Sequence, residues 1–315
     1  MQHAVVLDRV TRRYGSSTAV DGLSLDVRSG EMFGLIGPDG AGKTTSIRIM
    51  CGLLRVDEGR ATVLGLDPVR DHRRLTGRVG YLSQRFSLYG DLSVDENVAF
   101  FAEIHGVRDY GARRDRLLEM MRLTGFRERL AARLSGGMKQ KLALACTLVH
   151  EPDLIILDEP TTGVDPVSRR EFWMLLSEFL SQGMTIIMAT PYLDEAERCS
   201  RVALLDAGRL LALDDPDRLR QGLPGTIVEV IAAPQETAAT VLSAVPGVLD
   251  VQRYGERIHV RTGPGHGVGE AALGQALESA GVQATVIRVV PASLEDVFIS
   301  RLAEVRSSRA VPRER

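Results

Sequence analysis

Residues 31–54 read EMFGLIGPDGAGKTTSIRIMCGLL, and this stretch decides the fold. It begins as a short apolar run, passes through a glycine-rich turn and ends in apolar residues at helical spacing. A buried strand, a tight turn and a helix in this order are typical of α/β proteins with a parallel sheet. The turn matches G-x-x-x-x-G-K-[ST], in which backbone N–H groups cradle phosphates and the next helix presents its positive N-terminal end. The sequence therefore predicts a phosphate-binding loop.

The predicted phosphate-binding residues are consecutive: Gly37, Pro38, Asp39, Gly40, Ala41, Gly42, Lys43, Thr44 and Thr45. We expect Lys43 to reach the β- and γ-phosphates of a nucleotide and the Thr44 hydroxyl to ligate Mg²⁺. Lys43 is conspicuous because nearly all basic residues are arginine, and the only other lysines are Lys139 and Lys141. The alternative is a glycine-rich turn that binds nothing, and the flanking strand and helix argue against it.

A second apolar run, LIILDEP at 154–160, ends in two successive carboxylates, Asp158 and Glu159. Ligands of parallel sheets gather at the carboxyl ends of the strands. We expect Asp158 to support the Mg²⁺ shell and Glu159 to polarise the attacking water. Such a run is weakly specific by itself, because solvated acidic strand ends are common. Downstream of a phosphate-binding loop in an α/β chain, it becomes a strong signal.

A third element, LSGGMKQ at 134–140, opens another predicted helix. Ser135, Gly136 and Gly137 would offer free N–H groups to an anion. With these three elements in order, residues 1–220 resemble the ATP-binding cassette (ABC) family, whose signature LSGGQ stands here as LSGGM. The resemblance implies a P-loop NTPase cassette with a parallel-sheet core, an antiparallel β subdomain and a helical subdomain. It also implies ATP and Mg²⁺ as ligands, and a head-to-tail dimer in which one signature closes over the phosphate loop of a second cassette.

Further positions are identified by the same resemblance. Tyr14 is similar to the aromatic residue that stacks on adenine, with a packing role as the alternative. Gln84 is similar to the Q-loop glutamine, which senses the Mg²⁺ and the attacking water and links to the transmembrane partner. Asp165 is similar to the D-loop aspartate at the dimer seam. The predicted catalytic set is thus Glu159, Gln84 and Lys43, and the predicted metal set is Thr44, Gln84 and Asp158.

The segment MTIIMATPYLDEAERCS at 184–200 departs from the family pattern. Where the family places a switch histidine against the terminal phosphate, this chain has Pro191, which has neither a side-chain donor nor a backbone N–H. Loss of one donor to a transition-state charge typically costs on the order of 10²–10³ in rate. We therefore expect ATP binding to survive and turnover at this site to be impaired. His150 and the other histidines lie elsewhere in the pattern and offer no substitute.

The chain length of 315 residues suits one large domain and one small domain. We predict an ATP-binding domain over 1–224, with its helical subdomain at about 86–140. Residues 225–303 alternate strands and helices in the split βαβ order, which predicts a small α+β, ferredoxin-like accessory domain. We expect Ser293 to cap a terminal helix. Residues 304–315 are predicted to be disordered.

Two segments, VDENVAFFAEIHGV at 94–107 and SLEDVFISRL at 293–302, resemble the ATPase subunits of ABC-2 type exporters. This implies a multi-span permease and a second cassette as partners. The second cassette is either an identical chain or a different one that carries the switch histidine. Phe86, Leu88 and Tyr89 are candidates for a groove that accepts the permease, with packing inside the helical subdomain as the alternative. For the accessory domain we favour a structural or dimerisation role over ligand sensing.

Composition excludes several other classes. The formal net charge of -2 offers no basic face to nucleic acid. Cys51, Cys146 and Cys199 show no metal-binding spacing, and we expect them to be buried free thiols. No signal peptide or membrane-spanning run is predicted, so we expect a peripheral protein on the cytoplasmic face of the membrane. The remaining alternatives are a non-transport ABC ATPase and a regulatory nucleotide-binding module with little hydrolysis.

Overall fold

The computed structural model describes residues 2–84, 88–263 and 268–310, the side chains of 306–310 excepted. The strands in these residues are β1 (His3–Tyr14), β2 (Ser17–Arg28), β3 (Met32–Ile36), β4 (Glu58–Val63), β5 (Val79–Leu82), β6 (Leu154–Asp158), β7 (Thr185–Thr190), β8 (Arg201–Asp206), β9 (Arg209–Asp214), β10 (Thr226–Ala233), β11 (Val248–Tyr254), β12 (Arg257–Thr262) and β13 (Gln283–Val290).

The helices in the same residues are α1 (Lys43–Met50), α2 (His72–Thr76), α3 (Val94–Ile104), α4 (Gly111–Met120), α5 (Gly136–Leu148), α6 (Pro166–Ser181), α7 (Leu193–Ala196), α8 (Pro216–Gln221), α9 (Gln235–Ser243), α10 (Glu270–Ser279) and α11 (Leu294–Ala310). Short 3₁₀ helices cover Thr124–Phe126 and Ala131–Arg133. The chain divides into two compact units, the first ending at Asp215 and the second beginning at Pro216.

The first unit is built on a sheet with the strand order β5-β6-β7-β3-β8-β9. All neighbouring pairs are parallel except β8 and β9, which form an antiparallel hairpin. The central strands β3, β6 and β7 are buried along their whole length. Continuous apolar runs such as LIIL and TIIMA form such strands because both faces of a parallel sheet are covered. This confirms the predicted parallel-sheet α/β core.

A second sheet in this unit is antiparallel, with the order β2-β1-β4. Tyr14 and Ser17 are the last pair of the β1–β2 hairpin, so its turn lies between them. Apolar side chains of β1 and β2, among them Val5, Leu7 and Leu23, join the same core cluster as Phe33 of β3. The antiparallel sheet therefore packs with the parallel sheet around one core.

Helices α3 and α4 lie between β5 and α5 in the chain, in the region predicted to be helical. Helix α3 begins with a reciprocal cap, in which Ser93 Oγ accepts a hydrogen bond from the Glu96 N–H and Glu96 Oε2 accepts one from the Ser93 N–H. This pairing satisfies two N–H groups that a helix start leaves open. Leu88 is half-buried, Tyr89 is 46% exposed, and Phe86 lies outside the described residues.

The second unit contains an antiparallel sheet with the order β11-β12-β10-β13. Between α8 and α11, the elements of this unit follow the chain order strand, helix, strand, strand, helix, strand. Its core is formed by β10, β12, α9 and α10, through Val228, Val230, Ala238, Leu242, Ile258, Val260, Leu273 and Leu277. Helix α11 is capped as predicted, because Ser293 Oγ accepts from the Asp296 N–H and the Ser293 N–H donates to Asp296 Oδ2.

Two boundaries differ from the sequence prediction. The first domain was predicted to end at 224, but helix α8 packs against α11 and belongs to the second unit, so the division falls after Asp215. The predicted disordered tail began at 304, but α11 continues to Ala310. Arg301 and Glu304, one turn apart, form an exposed ion pair of 2.9 Å at the start of this extension. Residues 311–315 lie outside the described part of the chain.

Candidate active site

Three neighbouring strands carry the candidate site at their carboxyl ends. Strand β7 lies between β6 and β3, so its end separates Glu159 from the glycine-rich loop. The Glu159 N–H donates to the Ala189 carbonyl at 2.9 Å, and the Gly37 N–H donates to the Thr190 carbonyl at 3.4 Å. The backbone of β7 thus holds both loops in place. This is the edge of a parallel sheet at which ligands bind.

Lys43 is the first residue of α1 and is 4% exposed. Its Nζ donates to the Gly37 carbonyl at 2.7 Å and to the Pro38 carbonyl at 3.0 Å. A third contact, with Glu159 Oε1 at 3.4 Å, joins the loop to the end of β6. The ammonium group is therefore held by the loop's own carbonyls, in the position from which it faces the cleft described below.

Thr44 and Asp158 meet directly, because the Thr44 hydroxyl donates to Asp158 Oδ1 at 3.1 Å. Burial raises the pKa of Asp158, although the hydrogen bond from Thr44 partly offsets this effect. A buried carboxylate with so little compensation fits a cation. Mg²⁺ needs only one or two protein oxygens, because waters and phosphates complete its shell. The pair therefore fits the predicted Mg²⁺ site, although the described residues contain no cluster of three or more His, Cys, Asp or Glu suited to a metal.

Glu159 lies one residue beyond β6 with φ of 50°, a left-handed conformation that is uncommon for a residue with a side chain. Its Oε2 accepts a hydrogen bond from Gln84 Nε2 at 3.0 Å, and its Oε1 faces Lys43. Gln84 follows β5, the strand next to β6. The three predicted catalytic residues are thus in contact with one another through Glu159.

A cleft of about 490 Å³ is lined by most of the predicted phosphate-binding residues. Its lining consists of Ser17, Thr18, Ala19, Asp39, Gly40, Ala41, Gly42, Lys43, Thr44, Thr45, Gln84 and Glu159. Residues 17–19 were not predicted. They approach because Gly42 has φ of 95° and no Cβ, and a Cβ there would lie 2.5 Å from the Ala19 carbonyl oxygen. The spacing of residues in the loop motif does not predict this contact with β2.

Tyr14 does not line the cleft, although its hairpin partner Ser17 does. Tyr14 is 45% exposed, and the guanidinium carbon of Arg12 lies 5.1 Å from its ring centroid. The exposed ring is available for stacking, and the exposure argues against a buried packing role. Its contact with a base stays a prediction.

The signature residues and Asp165 form a separate cluster at the starts of α5 and α6. Ser135 caps α5 through its Oγ, which accepts from the Met138 N–H at 3.3 Å. Asp165 caps α6 by accepting from the N–H groups of Val167 and Ser168, and the Ser168 hydrogen bond lowers the pKa of Asp165. Gly137 permits the close approach of the two helices, since a Cβ there would lie 2.2 Å from Ser168 Oγ. These residues do not line the cleft of their own chain.

Pro191 directly follows β7, between the strand that leads to Glu159 and the strand that leads to the phosphate loop. The next backbone N–H, that of Tyr192, donates to Thr190 Oγ1 at 3.1 Å. His150 does not line the cleft; its ring stacks on His105 with centroids 3.8 Å apart. Burial lowers the pKa of His150 to about 4.

The cysteine prediction is confirmed, because Cys51, Cys146 and Cys199 are all free and buried. Burial raises the pKa of both Cys51 and Cys199 to about 12, so these thiols stay protonated. None of the helices in the described residues has the length and apolar character needed to cross a bilayer.

The loop, the two carboxylates and the lysine together define a P-loop nucleotide-binding fold. The family model described as ABC transporter matches residues 20–162. The daunorubicin resistance ATP-binding protein DrrA2 of Streptomyces coeruleorubidus is 36% identical over 99% of this chain and 98% of its own length. The chain therefore belongs to the ABC transporter ATP-binding protein family, as the sequence predicted.

Other relatives match a smaller part of the chain. The probable multidrug ABC transporter ATP-binding protein YbhF of Escherichia coli is 48% identical over 66% of this chain, and the match spans only 36% of the length of YbhF. The Nod factor export ATP-binding protein I of Paraburkholderia xenovorans is 40% identical over 75% of this chain and 78% of its own length.

Solved structures confirm the cassette fold. The structure of cbiO1 from Clostridium perfringens, described as part of the ABC transporter complex cbiONQ, has a TM-score of 0.65 at 26% identity and covers 78% of this chain and 97% of that chain. The dimeric structure of MJ0796, a bacterial ABC transporter cassette, has a TM-score of 0.60 at 26% identity and covers 67% of this chain and 98% of that chain.

Proposed function

We propose that this chain is the ATP-binding and ATP-hydrolysing subunit of a membrane exporter and that it works through a separate multi-span permease. The observation that carries the proposal is the convergence of Lys43, Glu159 and Gln84 on one cleft, beside the Thr44–Asp158 pair. The relatives are named for multidrug transport, daunorubicin resistance and Nod factor export, and these names support an export role. The transported molecule is chosen by the permease and is not specified by these residues.

ATP binding would begin with the phosphate loop. The inward N–H groups and the start of α1 favour a polyanion. A triphosphate would replace the Gly37 and Pro38 carbonyls as partners of Lys43, since a charged phosphate oxygen is a stronger acceptor than a carbonyl. Lys43 would then move off Glu159, because their contact of 3.4 Å is long for an ion pair and therefore weak. Nucleotide binding would in this way free one oxygen of the carboxylate.

The freed carboxylate of Glu159 would act as the base that orients the attacking water. Gln84 already holds the other carboxylate oxygen and would keep the group pointed at the cleft. Thr44 and Asp158, with Gln84, would hold Mg²⁺. Bound there, the ion would neutralise charge on the β- and γ-phosphates.

The Ser135–Gly137 cluster and Asp165 would serve a second cassette. In each chain these residues lie outside its own cleft, and the α5 N-terminus would supply N–H groups to a phosphate bound by the partner. The dimeric state of the similar cassette supports this arrangement. The second cassette is either an identical chain or a different cassette that carries the switch histidine.

Pro191 would limit hydrolysis at this chain's own site. A proline at the position next to Glu159 and Gly37 supplies no hydrogen-bond donor to the γ-phosphate or the water. With Lys43 and Thr44 intact, binding would be retained while the chemical step slows. If binding is retained here while the chemical step is slow, a partner cassette that carries the switch histidine would do most of the hydrolysis, and the pair would be asymmetric. A slowly cycling homodimer is the simpler variant of the same function.

We further propose that the second unit is a ferredoxin-like accessory domain. Its element order and the strand order β11-β12-β10-β13 support that class. Leu88 and Tyr89 are proposed as part of the permease groove, in which Tyr89 packs edge-on against Phe100 with centroids 4.5 Å apart. The protein would then work on the cytoplasmic face of the membrane.

The rate of ATP hydrolysis by the purified chain tests this proposal. We expect a slow but measurable rate, and Pro191→His should raise it at least tenfold, since one restored donor is worth up to roughly 10²–10³ in rate. Pro191→Ala is the matched control, because alanine also removes the ring but adds no side-chain donor. Fast hydrolysis by the unaltered chain, or a histidine variant no faster than the alanine variant, would refute the impaired-site part.

Pro191 also favours a second candidate, a regulatory cassette that binds ATP without hydrolysing it. A chain that binds ATP but shows no hydrolysis even after Pro191→His would support this alternative. Co-purification with a multi-span permease from membranes separates transport from soluble roles. Recovery of the chain without any membrane protein would contradict the exporter proposal.

A further inference from the structure

A buried carboxylate beyond the predicted motifs connects three segments of the candidate site. Glu195 is 1% exposed and lies in the short helix α7, just after the Pro191 turn. Its Oε1 accepts a hydrogen bond from the hydroxyl of Thr161, two residues after Glu159. The same oxygen accepts from Arg169 Nε at 2.8 Å. One carboxylate therefore contacts both the loop that follows Glu159 and helix α6.

Arg169 extends these contacts in two directions. Its Nη2 donates to both carboxylate oxygens of Asp194 at 3.0 Å, and its guanidinium carbon lies 5.0 Å from the centroid of the Tyr192 ring. In α6 it stands one turn after Asp165, whose carbonyl accepts its backbone N–H at 2.9 Å. The arginine thus joins the Pro191 turn to the helix that begins at the proposed dimer seam.

The contacts of Glu195 contribute little net stability to the folded state. Glu195 Oε2 is buried without a hydrogen-bond partner in the residues that the structure describes. A buried acceptor left unsatisfied costs free energy, and buried ion pairs are often no more stabilising than apolar packing. What the contacts do provide is fixed geometry between Thr161, Arg169 and the turn around Pro191.

We infer that Glu195 is a positioning residue for ATP hydrolysis, which holds Glu159 and the Pro191 turn in register with the start of α6. The inference rests on the proposed hydrolytic function. Glu195 acts through Thr161 and Arg169 and does not line the nucleotide cleft. Because the Pro191 side chain has no hydrogen-bonding group, the polar contacts that fix this turn come from the neighbouring residues.

Glu31 offers a closely matched control elsewhere in the same unit. It is 7% exposed, and its Oε1 likewise accepts from one arginine, Arg201 at 3.2 Å, and from one neutral donor, the Arg28 N–H at 2.7 Å. It precedes β3, at the amino end of the parallel strands and thus at the edge opposite to the cleft. Glu31→Gln and Glu195→Gln therefore remove the same kind of ion pair with the same change of side chain.

The test uses the full chain in excess over radiolabelled ATP, so that a single turnover is followed. We expect Glu195→Gln to slow hydrolysis roughly tenfold, since small displacements of reacting groups cost up to 10²-fold. The ATP dissociation constant should stay within about twofold of the unaltered chain, because Lys43 and its loop are untouched. Thr161→Val should also slow hydrolysis, and adding Arg169→Gln to Glu195→Gln should change little more, because the residues act as one unit.

Glu31→Gln should lower the unfolding temperature without slowing hydrolysis. If Glu31→Gln and Glu195→Gln slow hydrolysis equally, or if Glu195→Gln loses ATP affinity in step with rate, the positioning role is wrong. If the unaltered chain does not hydrolyse ATP, the proposed function fails instead. In that case amide exchange over 159–165 tests whether Glu195 holds the loop that follows Glu159. Faster exchange in Glu195→Gln than in Glu31→Gln supports this positioning, and equal exchange in the two variants overturns it.

Discussion

Each unit of the molecule contains a cluster of buried charge, and the two clusters differ in how their charges are paired. In the first unit, Lys43 contacts backbone carbonyls of its own loop and has a longer contact of 3.4 Å with Glu159. In the second unit, Glu229 accepts at both oxygens, from Arg288 at 2.7 Å and from Arg257 at 3.0 Å. The first set can exchange partners when a phosphate arrives, whereas the second is already saturated.

This difference shows that burial and charge by themselves do not identify a functional site. Glu159 and Glu229 are both nearly buried and both face basic side chains. Glu159 lines the cleft described above, and its lysine partner is held by backbone carbonyls that a ligand can replace. Glu229 instead ties β10 to β12 and β13 across the sheet. We therefore expect matched substitutions to affect activity in the first unit and stability in the second.

The largest expected effect is that of Glu159→Gln. Glutamine keeps the shape and the bond to Gln84 but cannot act as a base, so hydrolysis should fall by about 10²–10⁴. The ATP dissociation constant should change little, because the phosphate loop is intact. Single-turnover hydrolysis and equilibrium ATP titration measure the two quantities. A variant that hydrolyses ATP at the unaltered rate would remove Glu159 from the proposed chemistry.

Glu229→Gln is the counterpart in the second unit and should have a smaller effect of another kind. Loss of hydrogen bonds to charged groups should destabilise this unit by about 1.5–3 kcal/mol. The cost stays moderate because Arg257 and Arg288 are more than half exposed and can be hydrated. Amide exchange over 226–262 reports the second unit, and fluorescence of Trp173, the only tryptophan, reports the first. A changed hydrolysis rate or ATP affinity in this variant would contradict the expectation that the second-unit cluster affects stability and not activity.

The smallest effect concerns the pH dependence of the second unit. His259 Nδ1 lies 3.0 Å from Asp296 Oδ1, and this hydrogen bond raises the pKa of His259. A raised folded-state pKa gives stability that is fully present below the unfolded value of about 6.5 and lost as the pH rises through the folded value. The loss should be on the order of 1 kcal/mol. It should appear as faster amide exchange over 257–262, after correction for intrinsic rates.

The control for this pH effect is His259→Gln, which cannot gain a proton. Its second-unit stability should not decline as the pH rises through the folded-state pKa of His259. Asp296 affects stability at acidic pH. Burial opposes its ionisation, but the hydrogen bonds from His259 and Ser293 outweigh burial and lower the pKa of Asp296. Its stabilisation is lost as the pH falls through that lowered value. An unchanged pH profile in His259→Gln would show that the pair is not responsible.

The motifs of the first unit were predictable because each depends on local sequence. The phosphate loop, the strand ending in Asp158 and the start of α5 all lie where periodicity and spacing placed them. Their meeting at one cleft follows from the parallel sheet, since carboxyl ends of neighbouring strands share an edge. The contact of residues 17–19 with this cleft was not predictable, because it depends on how β2 approaches Gly42 in three dimensions.

Glu195 shows a second limit of prediction from sequence. Nothing within the run LDEAE at 193–197 marks its middle glutamate as buried, yet Glu195 is buried and contacts Arg169 and Thr161. The partners lie 26 and 34 residues away, so no local pattern marks them. The helical character of 304–310 and of residues 216–221 was missed for a similar reason. Both segments are polar, and α8 is stabilised by packing against α11.

The central claim is that the loop around Lys43 binds the phosphates of ATP, and calorimetric titration of ATP into the full chain tests it most directly. Removing the ammonium group by Lys43→Ala should weaken affinity roughly ten- to a hundredfold. Lys141→Ala is the control, since Lys141 is also buried and paired with a glutamate, Glu171, but lies in α5. Its affinity should stay within about twofold of the unaltered chain. Equal ATP affinity of the Lys43→Ala variant and the unaltered chain would contradict the account.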